Sequence, residues 1–381
     1  MPQVPLYDPS LRRDTPLALK LIQRIRASGP ISVHDYMNAC LHDPEFGYYR
    51  TRMAIGRAGD FITAPEISQV FGELIGLWCA VVWQQMGQPQ RFNLIELGAG
   101  RGTLLADVLR AVKLVPGFRE AVSVHIVDTN PVLIEMQTAA LGASGVAATW
   151  HATLDALPAD APSIWVANEF LDTLPVKQWE RRDGVWSLRA IGIGASSKLA
   201  FVEPPADWGR LFDVEFFNLP GAEVWHDGDI KEHQQMSILA QALRMAAATA
   251  PIAALFIDYG YTGVGKIDTL QAVRDHRPEH VLTSPGEADV SCQVAFDDFA
   301  FKAGLQLKNQ AELAIDGPVT QSAFLGALGI MERASRLMAK NPGHANMLEL
   351  SVARLMAPHG MGTRFKAIGL RSPQLQPLPG F

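Results

Sequence analysis

The chain has 381 residues, long for one domain, so a central domain with additions or insertions is expected. Hydrophobic residues at 48% and charged residues at 19% describe an ordinary folded protein with a large core, and a net charge of -6 argues against a dedicated nucleic-acid binder. The three cysteines, Cys40, Cys79 and Cys292, are too scattered for a metal cluster or a disulfide framework, which fits a reducing compartment.

The longest apolar run, Val70–Trp83, is interrupted by Glu73 and is too short to span a bilayer. No apolar signal core opens the chain. Leu17–Arg26 is basic and amphipathic, but Asp8 and Asp14 argue against a transit peptide. A soluble cytoplasmic protein is therefore expected.

In chain order, residues 1–90 read as helices and loops forming a cap. Pro16 suits a first helical turn, and TPLALKLIQRIRAS has an i, i+3, i+4 apolar pattern ending at Gly29-Pro30. Ser32 to Asp35 reads as a capping box with Asp in place of the usual Glu or Gln. A loop rich in Gly and aromatics, Asp43–Thr63, leads to a long apolar helix over Glu66–Met86. From Phe92 the rhythm is α/β, with strands expected at 92–97, 122–127, 163–167 and 253–258 and helices at 103–112, 131–141 and 231–249. WERRDGVWSLRAIGI carries a hairpin signal at Asp183-Gly184, so 176–225 is expected to be a β-rich insertion. Residues 295–303 read as helical, 305–310 as extended, 319–357 as a helical insertion and 363–370 as a last strand. The α/β domain, 91–375, carries both insertions.

The most telling stretch is FNLIELGAGRGT, where an apolar strand meets Gly98, Gly100 and Gly102 before a helix. Glycine lets the backbone turn sharply and approach a ligand closely. A nicotinamide site needs G-x-G-x-x-G, whereas here the third glycine comes one residue early and Glu96 lies inside the strand. Asp128 ends the next strand. This pattern resembles the S-adenosylmethionine (SAM) site of class I methyltransferases. In that family the acid ending the second strand binds both ribose hydroxyls, and the acid before the glycines lies near the charged methionine end. A carboxylate accepts both hydroxyls of a diol, and an acid at Glu96 complements a cationic ligand but repels a pyrophosphate. The other reading of Asp128 is an N-cap for the helix after Asn130-Pro131.

The expected strand Ser163–Ala167 runs into Asn168-Glu169-Phe170-Leu171-Asp172-Thr173-Leu174-Pro175. Ligands of doubly wound sheets bind outside the carboxyl ends of the strands, so this loop faces the transferring group. If the acceptor is a guanidinium, carboxylates hold its fork and orient one nitrogen. The alternative is that Asp172 caps a helix and Glu169 is a solvated loop acid.

ANEFLDTLPV, FIDYGY (Phe256–Tyr261), DPEFGYY (Asp43–Tyr49) and GDFITAPEISQVFGELIG (Gly59–Gly76) together resemble the MidA family of SAM-dependent methyltransferases of bacteria and mitochondria. The matching blocks run from about residue 30 to about residue 330. The resemblance implies a class I, Rossmann-like fold with a mostly parallel seven-stranded sheet and a helical cap. It implies SAM as cofactor and a protein arginine as acceptor, on a subunit of respiratory complex I in the mitochondrial members. Carried over by position, Glu96, Gly98, Gly100, Gly102 and Asp128 bind SAM, Asn168, Glu169 and Asp172 face the acceptor, and Asp258 and Tyr259 close the site. One block departs from the family pattern, with Gln293 where a histidine is expected. That departure keeps open a SAM-binding assembly chaperone with little turnover. A small-molecule N- or O-methyltransferase and an NAD-dependent dehydrogenase are further alternatives.

The loops at 43–49 and 59–67 have a composition suited to folding over a ligand and excluding water, with Tyr48, Phe61 and Thr63 as lid residues. The alternative is ordinary aromatic packing. His34, His42, His125, His151 and His226 have no metal spacing, so no metal is expected. The compartment implied is the bacterial cytoplasm, or the mitochondrial matrix in a eukaryote.

Overall fold

Phe92–Leu97 is buried along its whole length, as a central parallel strand covered on both faces must be. In the computed structural model, which describes residues 9–51, 62–208, 210–212, 225–263, 265, 267–305 and 310–381, this strand is β1. Along the main path of its eight-stranded sheet it is joined by β2 (Val122–Val127), β3 (Ala148–His151), β4 (Ser163–Asn168), β5 (Ile252–Tyr261), β6 (Ala314–Thr320) and β7 (Phe365–Arg371). The order is β6-β7-β5-β4-β1-β2-β3. Pairing is parallel from β3 through β5, while β7 and β6 are antiparallel. The fold is thus the expected α/β type. The chain runs outward through β2 and β3 and then crosses to β4 on the other side of β1. The crevice at that reversal, beyond the carboxyl ends of β1 and β4, is where a doubly wound sheet binds ligands.

The chain divides into two compact units. One comprises Ile62–Leu171, Met236–Gly260 and Phe296–Phe381 and holds this sheet. The long helix expected in the N-terminal cap belongs here by its packing. It comes as two pieces, Ala64–Ile67 and Gln69–Gln85, because Ser68 is extended and its Oγ accepts from the Val70 N–H, the capping geometry serine favours. Gly72 and Gly76 let it approach the helix Thr103–Ala111; added Cβ atoms would lie 2.5 Å from Asp107 Cβ and 2.8 Å from Ala111 Cβ. The region 319–357 is not one helical block. β6 extends through Thr320, and three helices follow, Gln321–Ala327, Ile330–Lys340 and Ala345–Met356, broken at Gly329 and near Pro342.

The other unit is drawn from Met1–Phe61, Asp172–Gln235 and Tyr261–Ala295. Helices Pro16–Ser28 and Val33–His42 begin at Thr15 and Ser32, each capping through its side chain. The hairpin forms where expected: Val176–Arg182 pairs with Val185–Leu188, and Asp183 and Gly184 both have positive φ, as a tight hairpin turn requires. The helix expected over 231–249 is shorter. Ile230–Gln234 pairs antiparallel with the strand Val176–Arg182, and the helix is Ser237–Thr249. Lys231, Glu232 and Gln234 favour helix by themselves, so the pairing partner overrides the local preference. The extended segment expected at 305–310 lies mostly outside the described residues.

Candidate cofactor and acceptor site

β1 delivers Glu96 and then turns through Gly98, Gly100 and Gly102, with φ of 66°, 53° and 81°. These are left-handed conformations that glycine adopts without strain. A Cβ on Gly98 would lie 2.8 Å from Phe170 Cδ2, and one on Gly102 would lie 3.0 Å from Gln137 Cα. The turn is therefore closed in on both sides. Glu96 is 3% exposed, and its Oε2 has no hydrogen-bond partner among the described residues. Burial, aided by the Asp128 charge, pushes its carboxyl up to about 8. An acid left unsatisfied in a central strand is costly for folding and marks a ligand site.

Asp128 follows β2. Its Oδ1 accepts from the Asn130 N–H at 2.9 Å and its Oδ2 from Gln137 Nε2 at 2.7 Å. The N-cap reading of Asp128 fails, because Asn130 caps the helix Pro131–Gly142 by accepting from the N–H groups of Val132 and Leu133. Gln137 was not foreseen. Its signal was a polar residue in the middle of the buried i, i+4, i+8 stripe Leu133, Gln137, Leu141.

At the end of β4, Asn168 Nδ2 and the Ala64 N–H both donate to Glu169 Oε1, each at 2.9 Å. Asn168 is nearly buried, and its Oδ1 has no hydrogen-bond partner among the described residues. Glu169 has a φ of 54°, unusual for a non-glycine residue. Its own N–H donates to the Ile257 carbonyl at 2.9 Å. Asp258 is fully buried, and its Oδ2 accepts from the N–H groups of Phe170 at 3.0 Å and Leu171 at 2.8 Å. The resemblance gives it a place at the substrate side of the site, and in the structure it holds the loop that carries Glu169. Tyr259 packs edge-on against Phe365.

The helix Ala64–Ile67 joins the two halves of this site. Glu66 accepts from Thr103 Oγ1 and pairs with Arg101 Nη1 at 3.4 Å, beside the glycine turn, while Ala64 reaches Glu169. Thr63 is the residue before this helix, and its carbonyl accepts from the N–H groups of Glu66 and Ile67. Phe61 lies outside the described residues.

Tyr48 and Asp172 belong to the other compact unit. Tyr48 is fully buried in its hydrophobic core, edge-on to Tyr49. The packing reading therefore holds for Tyr48, and it offers no lid surface here. The Asp172 carbonyl accepts from the Cys292 N–H at 3.2 Å, and Tyr49 donates to Asp289 Oδ1 at 3.0 Å. The Gln293 N–H donates to Thr269 Oγ1 at 3.0 Å. Among the described residues no group of three metal-ligating side chains occurs.

The residues fit SAM. A buried carboxylate oxygen with no hydrogen-bond partner among the described residues suits a cationic end, and a held carboxylate follows the second strand. A family model described as an S-adenosyl-L-methionine-dependent methyltransferase matches residues 74–311. The chain is 33% identical to the mitochondrial protein arginine methyltransferase NDUFAF7 of Mus musculus, over 93% of this chain and 84% of that protein. The Homo sapiens NDUFAF7 is also 33% identical, over 95% and 85%. A structure from Burkholderia thailandensis bound to S-adenosyl-homocysteine superposes with a TM-score of 0.82 at 25% identity, covering 98% of this chain and 96% of that one.

Proposed function

Because the chain belongs to this family of SAM-dependent methyltransferases, we propose that it transfers the methyl group to an arginine of a protein, with Glu169 and Asn168 holding the guanidinium. Bound SAM supplies an electrophilic methyl on a sulfonium. The observation that carries the acceptor reading is the pair at the end of β4: the Glu169 carboxylate, fixed by two donors, beside the Asn168 Oδ1, which has no hydrogen-bond partner among the described residues. Both are acceptors, and a guanidinium offers only donors. Glu169 concentrates positive charge on the nitrogens it binds, keeps the third one nucleophilic, and takes the proton that this nitrogen sheds.

The relatives' names, protein arginine methyltransferase, support the same acceptor. A respiratory-complex subunit is the partner that the family resemblance implies, in the bacterial cytoplasm or the mitochondrial matrix. Among the described residues no helix is long and apolar enough to cross a membrane.

The test is incubation with SAM and an extract lacking the protein, read by mass spectrometry for methylated arginine. Glu169→Gln keeps the bond from Ala64 and loses the charge. Its transfer rate should fall about 100-fold with SAM affinity unchanged, the scale of a lost general base. Methylation of another residue type, or of a small molecule only, would overturn the arginine reading. Retained binding of S-adenosylhomocysteine with no transfer to any acceptor would favour an assembly chaperone.

A further inference from the structure

Gln137 is fully buried, and all its polar atoms are engaged. Its Nε2 donates to the Gly100 carbonyl at 2.8 Å and to Asp128 Oδ2 at 2.7 Å, and its Oε1 accepts from Trp150 Nε1 at 2.7 Å. The three contacts fix which end of the amide is which. Reversed, the amide would set oxygen against two acceptors and nitrogen against the indole N–H. Trp150, on β3, therefore locks the amide that ties the first glycine turn to the acid after β2.

A carboxylate has about four acceptor positions, two on each oxygen. Asn130 N–H uses one on Oδ1, Gln137 uses one on Oδ2, and the Thr129 N–H is a third donor to this carboxylate. We propose that Gln137, locked by Trp150, is a positioning residue that sets the Asp128 carboxylate at the angle and distance from the glycine turn that a cofactor ribose needs. The inference rests on the reading of Asp128 as the ribose ligand. Gln137 itself need not touch the cofactor. The glycine turn and Asp128 lie on neighbouring strand ends already tied by the Gly98 N–H to the Val127 carbonyl at 3.1 Å, and the Gln137 amide adds a side-chain tie from the turn to the carboxylate itself. Networks of this kind are worth more than their separate bonds when every member is satisfied.

The experiment compares binding of S-adenosylhomocysteine with that of its 2′,3′-dideoxyribose analogue by calorimetry, in wild type, Gln137→Met, Trp150→Phe and Asp128→Ala. Loosened packing weakens both ligands alike, whereas a misplaced carboxylate weakens only the diol. Gln137→Met should lose about tenfold or more on S-adenosylhomocysteine and under about twofold on the analogue, one charged hydrogen bond's worth of orientation. Trp150→Phe should shift the same way by roughly threefold, since it removes only the N–H that locks the amide. Equal losses on both ligands, or none, would overturn the positioning role. If Gln137→Met does not fold, Trp150→Phe decides alone. If Asp128→Ala keeps the wild-type preference for the diol, the ribose assignment itself is wrong. If Asp128→Ala loses that preference and neither of the other variants reduces it, only the role of Gln137 is.

Discussion

Replacing Glu96 with glutamine removes a charge at the centre of the sheet and leaves the shape intact. The native carboxyl is pushed from an ordinary 4.5 up to about 8 by burial first and the Asp128 charge second. Since the folded value lies above the unfolded one, the contribution of this group to stability is whole below about pH 4.5 and is lost as pH rises through about 8. The interval amounts to about 5 kcal/mol, at about 1.4 kcal/mol per pH decade. Ligand-free Glu96→Gln should therefore gain on wild type steadily with pH, by up to that amount, in urea unfolding at pH 5, 6.5 and 8. Cofactor binding should run the other way. A cationic ligand end needs the ionised acid, so wild type should release close to one proton on binding S-adenosylhomocysteine near pH 7. Calorimetry in two buffers of different ionisation heat counts that proton. Glu96→Gln should release none and bind roughly 10- to 100-fold more weakly at pH 7.5, the loss of one charged hydrogen bond. A stability difference independent of pH, together with no proton release in wild type, would refute the reasoning.

Three further outcomes follow from the geometry. Asp128→Ala should weaken SAM binding by roughly 1.5–3 kcal/mol in calorimetry, the usual cost of a lost charged partner. Gly98→Ala should lower the thermal midpoint, because its φ of 66° and the Phe170 ring at 2.8 Å oppose a Cβ; the left-handed backbone alone costs about 1–2 kcal/mol, and adding Phe170→Leu should recover only the steric part. Asp258→Ala should cost roughly 2–5 kcal/mol in denaturant unfolding by stranding the N–H groups of Phe170, Leu171 and Tyr259, with faster hydrogen exchange at Phe170 and Leu171.

Local chemistry made much of this legible. The glycine turn, Asp128 and the NEF loop are contiguous strings whose residue types announce their backbone or their charge, and β1, β2 and the hairpin at Asp183-Gly184 fall where periodicity puts them. What escaped depends on partners remote in the chain. Gln137 reads as an ordinary helix residue until Gly100, Asp128 and Trp150 surround it. Asp258 reads as a site acid, yet its partners are backbone N–H groups 88 and 87 residues away. β3 and the strand Ile230–Gln234 are short and weakly patterned, so their neighbours decide them. Composition around Tyr48 suits a lid and a core equally, and only its neighbours place it in a core.

The left-handed backbone at Glu169 has a consequence for engineering this enzyme. Glycine or asparagine would adopt that conformation more easily, so selection for heat resistance alone would drift towards them at position 169. Such a screen would return hardier proteins stripped of the carboxylate that we propose grips the acceptor. Libraries meant to toughen this scaffold should keep position 169 fixed and look for their gains on exposed helix faces.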